Sequence, residues 1–370
     1  AEYNVAVGRQ ALQNNTTGDT NVAVGANAMD VNTTGSNNVA MGKDALRLNT
    51  TASNNTAIGK DSLRSNTTGA ENVAVGMLAL DANTTGTLNV AVGYDALGAN
   101  TTGAKNYAFG NHALSSNTTG IESCAFGLSS LGSATTGGYN TAYGRSSGTA
   151  ITTGTYNTVI GHRTGDALTT GVGNTMVGAD TGDRTTTGNY NVCIGYGTQT
   201  GGAGTDNSIN IGHNFYVDGN VVGLGKDNNY IYANFATANT WTHNSDERLK
   251  KNVVTSTLGL NFINDLRPVT YNWKTSQEID SSDAELVAAG RYHADKNLMD
   301  SDTTMHGFIA QEVKSALDTA GVANHGCWNR ENNGIQGVSI EAMVIPLVKA
   351  VQELSAENEA LSARITALES

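Results

Sequence analysis

The chain has 370 residues, enough for two or three domains, but only 38% of them are hydrophobic and 6% are aromatic. This composition argues against one large conventional core. The formal net charge is -12 and Lys and Arg are not clustered, so nucleic acid is not an expected partner. Membrane insertion is not expected either, because the apolar runs are far shorter than the roughly 18 residues of a membrane helix.

Residues 1–212 carry a repeat of fixed period. Each unit contains a motif close to Asn-Val-Ala-Val-Gly, then Ala-Leu, then Asn-Thr-Thr-Gly. Its final glycines are spaced 17 residues apart and stand at positions 8, 25, 42, 59, 76, 93, 110, 127, 144, 161, 178, 195 and 212. A fixed short period predicts stacked units that contact only their neighbours. Alternating Val and Ala followed by turn residues is typical of a strand, so we predict a mainly β chain, a parallel β-roll or β-solenoid.

The columns of the repeat predict which side chains are inside. The residue before each glycine is always large and apolar, from Val7 to Ile211, and we expect this column to fill the core. The preceding column is Ala from Ala6 to Ala142, and its small size suggests packing against a second chain. The Asn column four before the glycine, replaced by Ser123 and Ser208, should form an amide ladder along the axis.

A second apolar column follows the glycine by four residues, from Leu12 to Leu131. After Gly144 this column disappears, since Gly148 and Gly165 take its place, and Ile151 and Leu168 appear three positions later. We therefore expect the cross-section of the coil to change near residue 145. The Asn-Val-Ala-Val-Gly element also resembles the repeat of trimeric autotransporter adhesin heads, and that resemblance implies a β-roll assembled from three chains. The chain begins in the middle of a repeat at Ala1, so we expect an N-terminal attachment region to be missing.

Residues 213–244 form short apolar stretches separated by Asp-Gly and Asn-Asn turns. We interpret them as a β neck in which three chains intertwine. The segments beyond it are predicted as a small α+β domain at 245–338 and a C-terminal helix at 339–370. Within the α+β domain, residues 275–304 form an acidic insertion whose capping-box pattern from Ser282 to Glu285 predicts one exposed helix.

The stretch from Ser245 to Lys250 separates the repeat from this globular region. A serine hydroxyl becomes a nucleophile when a base removes its proton, and a partly buried lysine can act as that base. Three further blocks follow in order, at Leu266 to Lys274, His306 to Val313, and Lys349 to Leu354. Together the four blocks resemble the C-terminal intramolecular chaperone of phage endosialidases and tail fibres, over about the last third of the chain.

This resemblance implies a trimeric chaperone that assembles a β-rich fibre and then releases itself by a single-turnover serine endopeptidase cut. The nucleophile then falls on Ser245 and the base on Lys250, and the cut lies between Ser245 and Asp246. Attack by Ser245 on the preceding carbonyl would instead break the bond to Asn244. Supporting roles near the Ser/Lys pair are predicted for four residues, namely Arg248, His306, Gln311 and Glu312.

The C-terminal segment has the pattern of a coiled coil. Its apolar residues, with one Asn among them, alternate three and four apart at Val344, Leu347, Val351, Leu354, Asn358, Leu361, Ile365 and Leu368. A heptad seam must meet copies of itself to be buried. Three copies agree with both resemblances, although the seam pattern alone does not fix the number.

No cofactor or metal site is predicted, because the His residues lack ligand spacing and the Cys residues lack partners at motif spacing. We expect a homotrimeric virion tail fibre or adhesin that is assembled in the host cytoplasm. It would attach to a host-cell receptor, either a glycan or an outer-surface protein, and no other enzymatic activity is predicted. Two alternatives are a bacterial trimeric autotransporter-like adhesin and a non-enzymatic ice- or surface-binding β-solenoid that uses the regular Thr rows.

Overall fold

The computed structural model describes residues 1–227, 229–234, 242–243, 247, 250–288, 291–292, 294, 301–323, 325–331 and 334–369. The chain divides into two compact units, Ala1–Asp246 and Glu247–Ser370. The first unit consists of strands β1 (Val5–Val7), β2 (Val22–Val24), β3 (Val39–Met41), β4 (Thr56–Ile58), β5 (Val73–Val75), β6 (Val90–Val92), β7 (Tyr107–Phe109), β8 (Cys124–Phe126), β9 (Thr141–Tyr143), β10 (Thr158–Ile160), β11 (Thr175–Val177), β12 (Val192–Ile194), β13 (Gln199–Thr200), β14 (Ile209–His213), β15 (Tyr216–Val217), β16 (Val221–Lys226), β17 (Asn229–Asn234) and β18 (Thr242–His243).

Sixteen of these strands form one sheet, in the order β1 to β12, then β14, β16, β17 and β18. Neighbouring coils pair in parallel with a shift of 17 residues, so that Val5 lies opposite Val22. The pairing becomes antiparallel only between β16 and β17 and between β17 and β18. Each 17-residue repeat is therefore one coil of a β-solenoid, which confirms the predicted fold class.

The glycine column brings the backbones of successive coils unusually close together. Gly93 has φ +136°, and a Cβ atom built on it would lie 2.6 Å from the carbonyl carbon and oxygen of Gly110. Other residues strongly disfavour this backbone conformation, and any side chain here would push the two coils apart. The period of the sequence is thus the period of this backbone contact.

The solenoid core differs from the prediction. The Ala column is fully buried, as at Ala91, and packs with the column of Leu97. The residue before each glycine faces outward instead, with Ile58 38% and Tyr143 61% exposed. The predicted burial of this outer column and the predicted contact of the Ala column with a second chain are both wrong. Strand side chains alternate, and because the Leu column fills the narrow interior, only a small side chain fits opposite it.

Two asparagine ladders run along the axis inside the coils. In the predicted ladder, Asn38 donates from its backbone N–H to Asn21 Oδ1 over 3.0 Å and from its side chain to the Ala52 carbonyl over 3.0 Å. A second ladder is formed by the Asn of each Asn-Thr-Thr-Gly segment, in which Asn49 donates to Asn32 Oδ1 over 2.8 Å. Each buried amide therefore bonds to a neighbouring coil, which satisfies polar groups that would otherwise be costly to bury.

The interior changes its filling near residue 145, whereas the strand register continues. Gly148 keeps the positive φ of the Leu column at +62°, and a Cβ atom there would lie 3.0 Å from Ile151 Cδ1. Ile151 and Leu168 are fully buried and occupy the interior in place of the missing Leu side chains. The coils after residue 145 therefore exchange a Leu and an Asn for a Gly and an aliphatic side chain.

The second unit is small and mixed. Its elements are α1 (Leu260–Asn264), β19 (Val269–Tyr271), α2 (Ala284–Ala288), β20 (Met305–Gly307), α3 (Ala310–Thr319), β21 (Trp328–Arg330), β22 (Gln336–Val338) and α4 (Val344–Glu369), the last preceded by a 3-10 turn at Glu341–Met343. Antiparallel pairs form between β19 and β20 and between β21 and β22. The core cluster includes Leu258, Phe262, Val313 and Leu317. No helix within the described ranges is long and apolar enough to cross a membrane.

The insertion contains the exposed helix that the sequence predicts, but its cap is shifted by one residue. Asp283 Oδ1 accepts hydrogen bonds from the backbone N–H groups of Glu285 over 3.1 Å and Leu286 over 3.0 Å. The predicted cap, Ser282, instead donates its hydroxyl to Asp280 over 2.7 Å. A carboxylate at the start of a helix accepts from free N–H groups as a serine does, so the spacing to Glu285 did not identify the capping residue.

Replacing Ala91 with Leu should lower the free energy of unfolding by about 1–3 kcal/mol, because a larger side chain overfills a closely packed interior. Leu88→Asn is the matched control, since Leu88 is 40% exposed in the same coil and other coils carry Asn in its column. This control should change the free energy by less than about 0.5 kcal/mol. Urea unfolding followed by circular dichroism measures both, and equal destabilisation would contradict the assignment of the core.

Candidate functional site

The predicted cleavage residues fall largely outside the described residues. Ser245, Asp246 and Arg248 all belong to this group, whereas Lys250 is described and exposed. The backbone N–H of Lys250 donates to the carbonyl oxygen of Glu247 over 2.9 Å. The partial burial that the base role requires is therefore not supplied to Lys250 by the described residues of one chain.

An ion pair joins two of the blocks that identified this region in the sequence. Arg267 donates from Nε to Glu312 Oε2 over 3.2 Å and from a terminal nitrogen to Glu312 Oε1. The hydrogen bond from Glu312, followed by its negative charge, raises the pKa of the Arg267 guanidinium. Pairing of β19 with β20 brings the same two blocks together, with Thr270 opposite His306. Glu312 is thus held by Arg267, and its contacts indicate a structural role.

The other two predicted supporting residues line different grooves. His306 is exposed on β20 and borders a groove of about 470 Å³ together with Pro268, Phe308 and Ile340. Gln311 borders a larger groove of about 670 Å³ beside Trp273 and Arg291. The structure therefore does not bring His306, Gln311 and Glu312 together at one site.

The C-terminal helix has two distinct faces. Pro346 and Ala350 are buried, and the side chain of Glu353 accepts a hydrogen bond from the backbone N–H of Leu260 over 2.7 Å. This bond is the first cause of a lowered pKa for Glu353. The opposite face carries the heptad residues, all of which are exposed, as Leu354 at 48% and Leu361 at 52% illustrate. One face of α4 is thus fixed to its own unit, while the heptad face is exposed.

Acidic side chains cluster once in the shaft, around Asp166, Asp180 and Asp183. Burial, followed by the negative charge of Asp166, raises the pKa of Asp183 to about 6. Arg163 reduces the repulsion, because its Nε lies 3.0 Å from Asp166 Oδ2. Across the described part of the chain, no group of three or more His, Cys, Asp or Glu side chains is placed to hold a metal ion.

Two contacts in the second unit were missed by the sequence analysis. Arg330 pairs with Glu285 of the insertion at 3.0 Å, and Glu353 caps the residue Leu260, which lies 93 positions earlier. Neither pair has a characteristic spacing in the sequence. Only the charge of each residue was visible, and charges on a small domain are usually solvated.

Residues 245–322 match the family model described as the chaperone of endosialidase. No curated protein and no solved structure matches the chain. The match begins at Ser245 and includes α1, β19, β20 and α3, so it covers the first three of the four blocks that carried the resemblance. A β-solenoid that is followed directly by this segment fits a tail fibre with an endosialidase-type chaperone domain.

Phe262→Ala should cost about 3–5 kcal/mol, because Phe262 is only 2% exposed in the core of the second unit. A loss of that size approaches the whole stability of a small domain, so urea should unfold this unit at a much lower concentration. Trp273 and Trp328 lie in the unit, so tryptophan fluorescence of the full chain reports the transition. Val287→Ala, on the exposed surface of α2, is the control, and an unchanged midpoint for Phe262→Ala would contradict the assigned core.

Proposed function

We propose that this chain, whose residues 245–322 match the chaperone of endosialidase, is the distal shaft of a homotrimeric virion tail fibre or a similar surface adhesin. The chaperone segment folds the shaft and then releases itself by a Ser/Lys cut. The observation that carries the proposal is the direct succession of a β-solenoid and this chaperone segment in one chain. Such a shaft resists unfolding through its kinetic barrier after the chaperone has left.

The homotrimer is supported by apolar surface that a single chain leaves exposed. Along the shaft, the outer column before each glycine forms a row that includes Met41, Ile58 and Ile160, each between 37% and 44% exposed. Soluble monomers rarely carry a long contiguous apolar row. Copies of the same chain offer the same row at the same period, so three shafts can bury these rows against one another along their length.

The C-terminal helix supports the same assembly. Its exposed heptad face has Asn358 at one seam position, and a polar residue at such a position specifies register. Because Pro346 and Ala350 hold the opposite face, the seam keeps a fixed direction relative to its own unit. A parallel bundle of α4 helices would therefore align the three chaperone units before the shafts associate.

The cleavage step would use Ser245 as nucleophile, Lys250 as base and the Ser245–Asp246 bond as target. Attack on its own carbonyl would give Ser245 a strained four-membered ring, so a serine of a neighbouring chain is the geometrically simpler nucleophile. A neighbouring chain would also bury Lys250, which is exposed in the single chain. Both considerations make cleavage dependent on assembly.

The biological setting follows from this assignment. The fibre would be assembled in the host cytoplasm, become part of a virion tail and attach to a glycan or protein on the host-cell surface. A bacterial autotransporter-like adhesin would use the same shaft, but the chaperone segment favours the virion fibre.

The ice- or surface-binding alternative has one observation in its favour. The second Thr of each Asn-Thr-Thr-Gly segment is exposed in eleven successive coils, from Thr17 to Thr187. This regular row suits an ordered surface. It leaves the chaperone segment without a purpose, so we retain the fibre as the better proposal.

The trimer is tested on Ser245→Ala, which keeps the chain intact. Light scattering after size exclusion should give three times the chain mass. Adding Leu354→Asp and Leu361→Asp should shift most of the protein to lower mass, because two charges would enter the apolar seam. Gln352→Asp lies outside the seam and should keep the trimer. A well-folded monomer for Ser245→Ala would sink the proposal.

Cleavage is tested by intact mass. The unmodified chain should release a fragment that begins at Asp246, whereas a fragment beginning at Ser245 would assign the cut to the other bond. Ser245→Ala and Lys250→Ala should each slow release at least about a thousandfold, as expected when a nucleophile or its base is removed, while the trimer persists. Lys251→Ala is the control and should be processed normally. Rapid processing of both dyad variants would exclude the Ser/Lys mechanism.

A further inference from the structure

An exposed row of tyrosines stands on the C-terminal half of the shaft. Tyr139, Tyr156 and Tyr190 occupy the same column, five residues before the glycine of each coil, with Gly173 between the last two. They are 39%, 60% and 63% exposed. We call these three residues and Gly173 the tyrosine ridge. Exposed aromatic side chains grouped in this way commonly mark an interaction site.

The ridge is held rigidly. All three tyrosines have positive φ, at 60°, 59° and 57°, and each stands directly before a buried Asn of the axial ladder. The rings of Tyr139 and Tyr156 stack with centroids 4.7 Å apart and planes within 5°. The ring of Tyr190 leans over Gly173, where a Cβ atom would lie 2.8 Å from Tyr190 Cδ1. Little conformational entropy is therefore lost when a ligand binds.

Folding of the coil does not require tyrosine in this column. Asn37, Asn54 and Asn207 take the same place with φ of 59°, 64° and 57°, and Lys105 pairs there with Glu122 at 3.0 Å. Polar and charged residues thus serve the same backbone equally well. The aromatic residues at 139, 156 and 190 need another explanation, and binding supplies one.

The surroundings of the ridge are hydroxyl-rich and almost free of charge. An exposed Thr stands three residues before each ridge position, at Thr136, Thr153, Thr170 and Thr187. Over the part of the chain that the structure describes, the hydroxyls of the three tyrosines and of these threonines bond to no other protein group. Between Glu122 and Asp166, the formally charged residues are Arg145 and Arg163. An acidic or strongly basic ligand would find little charge to pair with here.

We propose that the tyrosine ridge is a binding site for a neutral, hexose-based glycan, with sugar rings stacked on the exposed tyrosine faces. The apolar C–H face of a pyranose suits a flat aromatic ring, and the sugar hydroxyls find donors and acceptors in the phenol and threonine hydroxyls. The site repeats once per coil, about 4.8 Å along the axis, so a linear chain can lie along it. This inference deepens the proposed attachment function and rests on it.

The test uses an array of neutral and acidic oligosaccharides, probed with the labelled Ser245→Ala chain so that the protein stays full-length. We expect neutral hexose oligosaccharides to be retained. In the double variant Tyr156→Asn, Tyr190→Asn, retention should fall at least about tenfold, the scale for losing central aromatic anchors. Asn is compatible with this backbone, as the other coils demonstrate. Tyr196→Asn is the control, because Tyr196 is 56% exposed in a different column.

Three outcomes would overturn the site: no neutral glycan is retained, acidic glycans alone are retained, or the double variant binds as well as its parent. Light scattering of the same samples separates this inference from the fibre proposal. A trimer without neutral glycan binding removes the ridge and leaves the fibre intact. A double variant that loses the trimer assigns the ridge to contacts between chains, which also overturns the glycan site. A monomeric parent removes the fibre proposal itself.

Discussion

The shaft depends on the close approach of successive backbones at the glycine column. With Gly93 placed so that a Cβ atom would lie 2.6 Å from the Gly110 carbonyl, no other residue type can stand there without moving a coil. The contact fixes the number of residues per coil, because each glycine must return to the same point. It also stacks equivalent positions directly above one another, so that every Asn meets an Asn and every Thr meets a Thr.

The same close stacking makes the coil interior narrow, which decides how each chain can be completed. One Leu and one Ala fill the space, as Leu97 and Ala91 do, and larger apolar side chains of the strand must face outward. A coil that satisfies its own interior therefore leaves a row of large apolar residues on its surface. The C-terminal helix shows the same division, with one face bound to its own unit and a heptad face exposed. Both units thus carry apolar surfaces that suit copies of the chain.

Some features could be predicted from the sequence because they repeat or follow a known period. The coil length, the strand in each coil, the axial Asn ladder and the C-terminal helix all belong here. The direction of the Val-Ala-Val strand could not be predicted, since a three-residue alternation permits either face to be buried until the Leu column is placed. The turns were also missed, because the positive-φ positions hold residues such as Asp95 and Leu97, which do not mark turns in a sequence.

The candidate site was predicted in part for a different reason. The order of its blocks located the chaperone segment, and the pairing of β19 with β20 shows that two blocks form one structural element. The contacts that hold the unit together join residues 45 positions apart in Arg267 and Glu312 and 93 apart in Leu260 and Glu353. Pairs of this kind have no local signature, and exposed charges are common on any small domain. The geometry around Ser245 lies outside the described residues, so the dyad remains a prediction.

The position of the chaperone segment agrees with the way a solenoid can fold. Every coil bonds to the next at a separation of 17 residues, so growth is a nearest-neighbour process once one end exists. Forming that end is the costly step, since an isolated coil of parallel strands has no neighbour to complete its hydrogen bonds. At the C-terminal end of the shaft the sheet changes to antiparallel pairing of β16 with β17, a local arrangement that forms without a preceding coil. This element lies directly before the chaperone segment in the chain, which places the proposed folding helper next to the end where the first coil can be laid down.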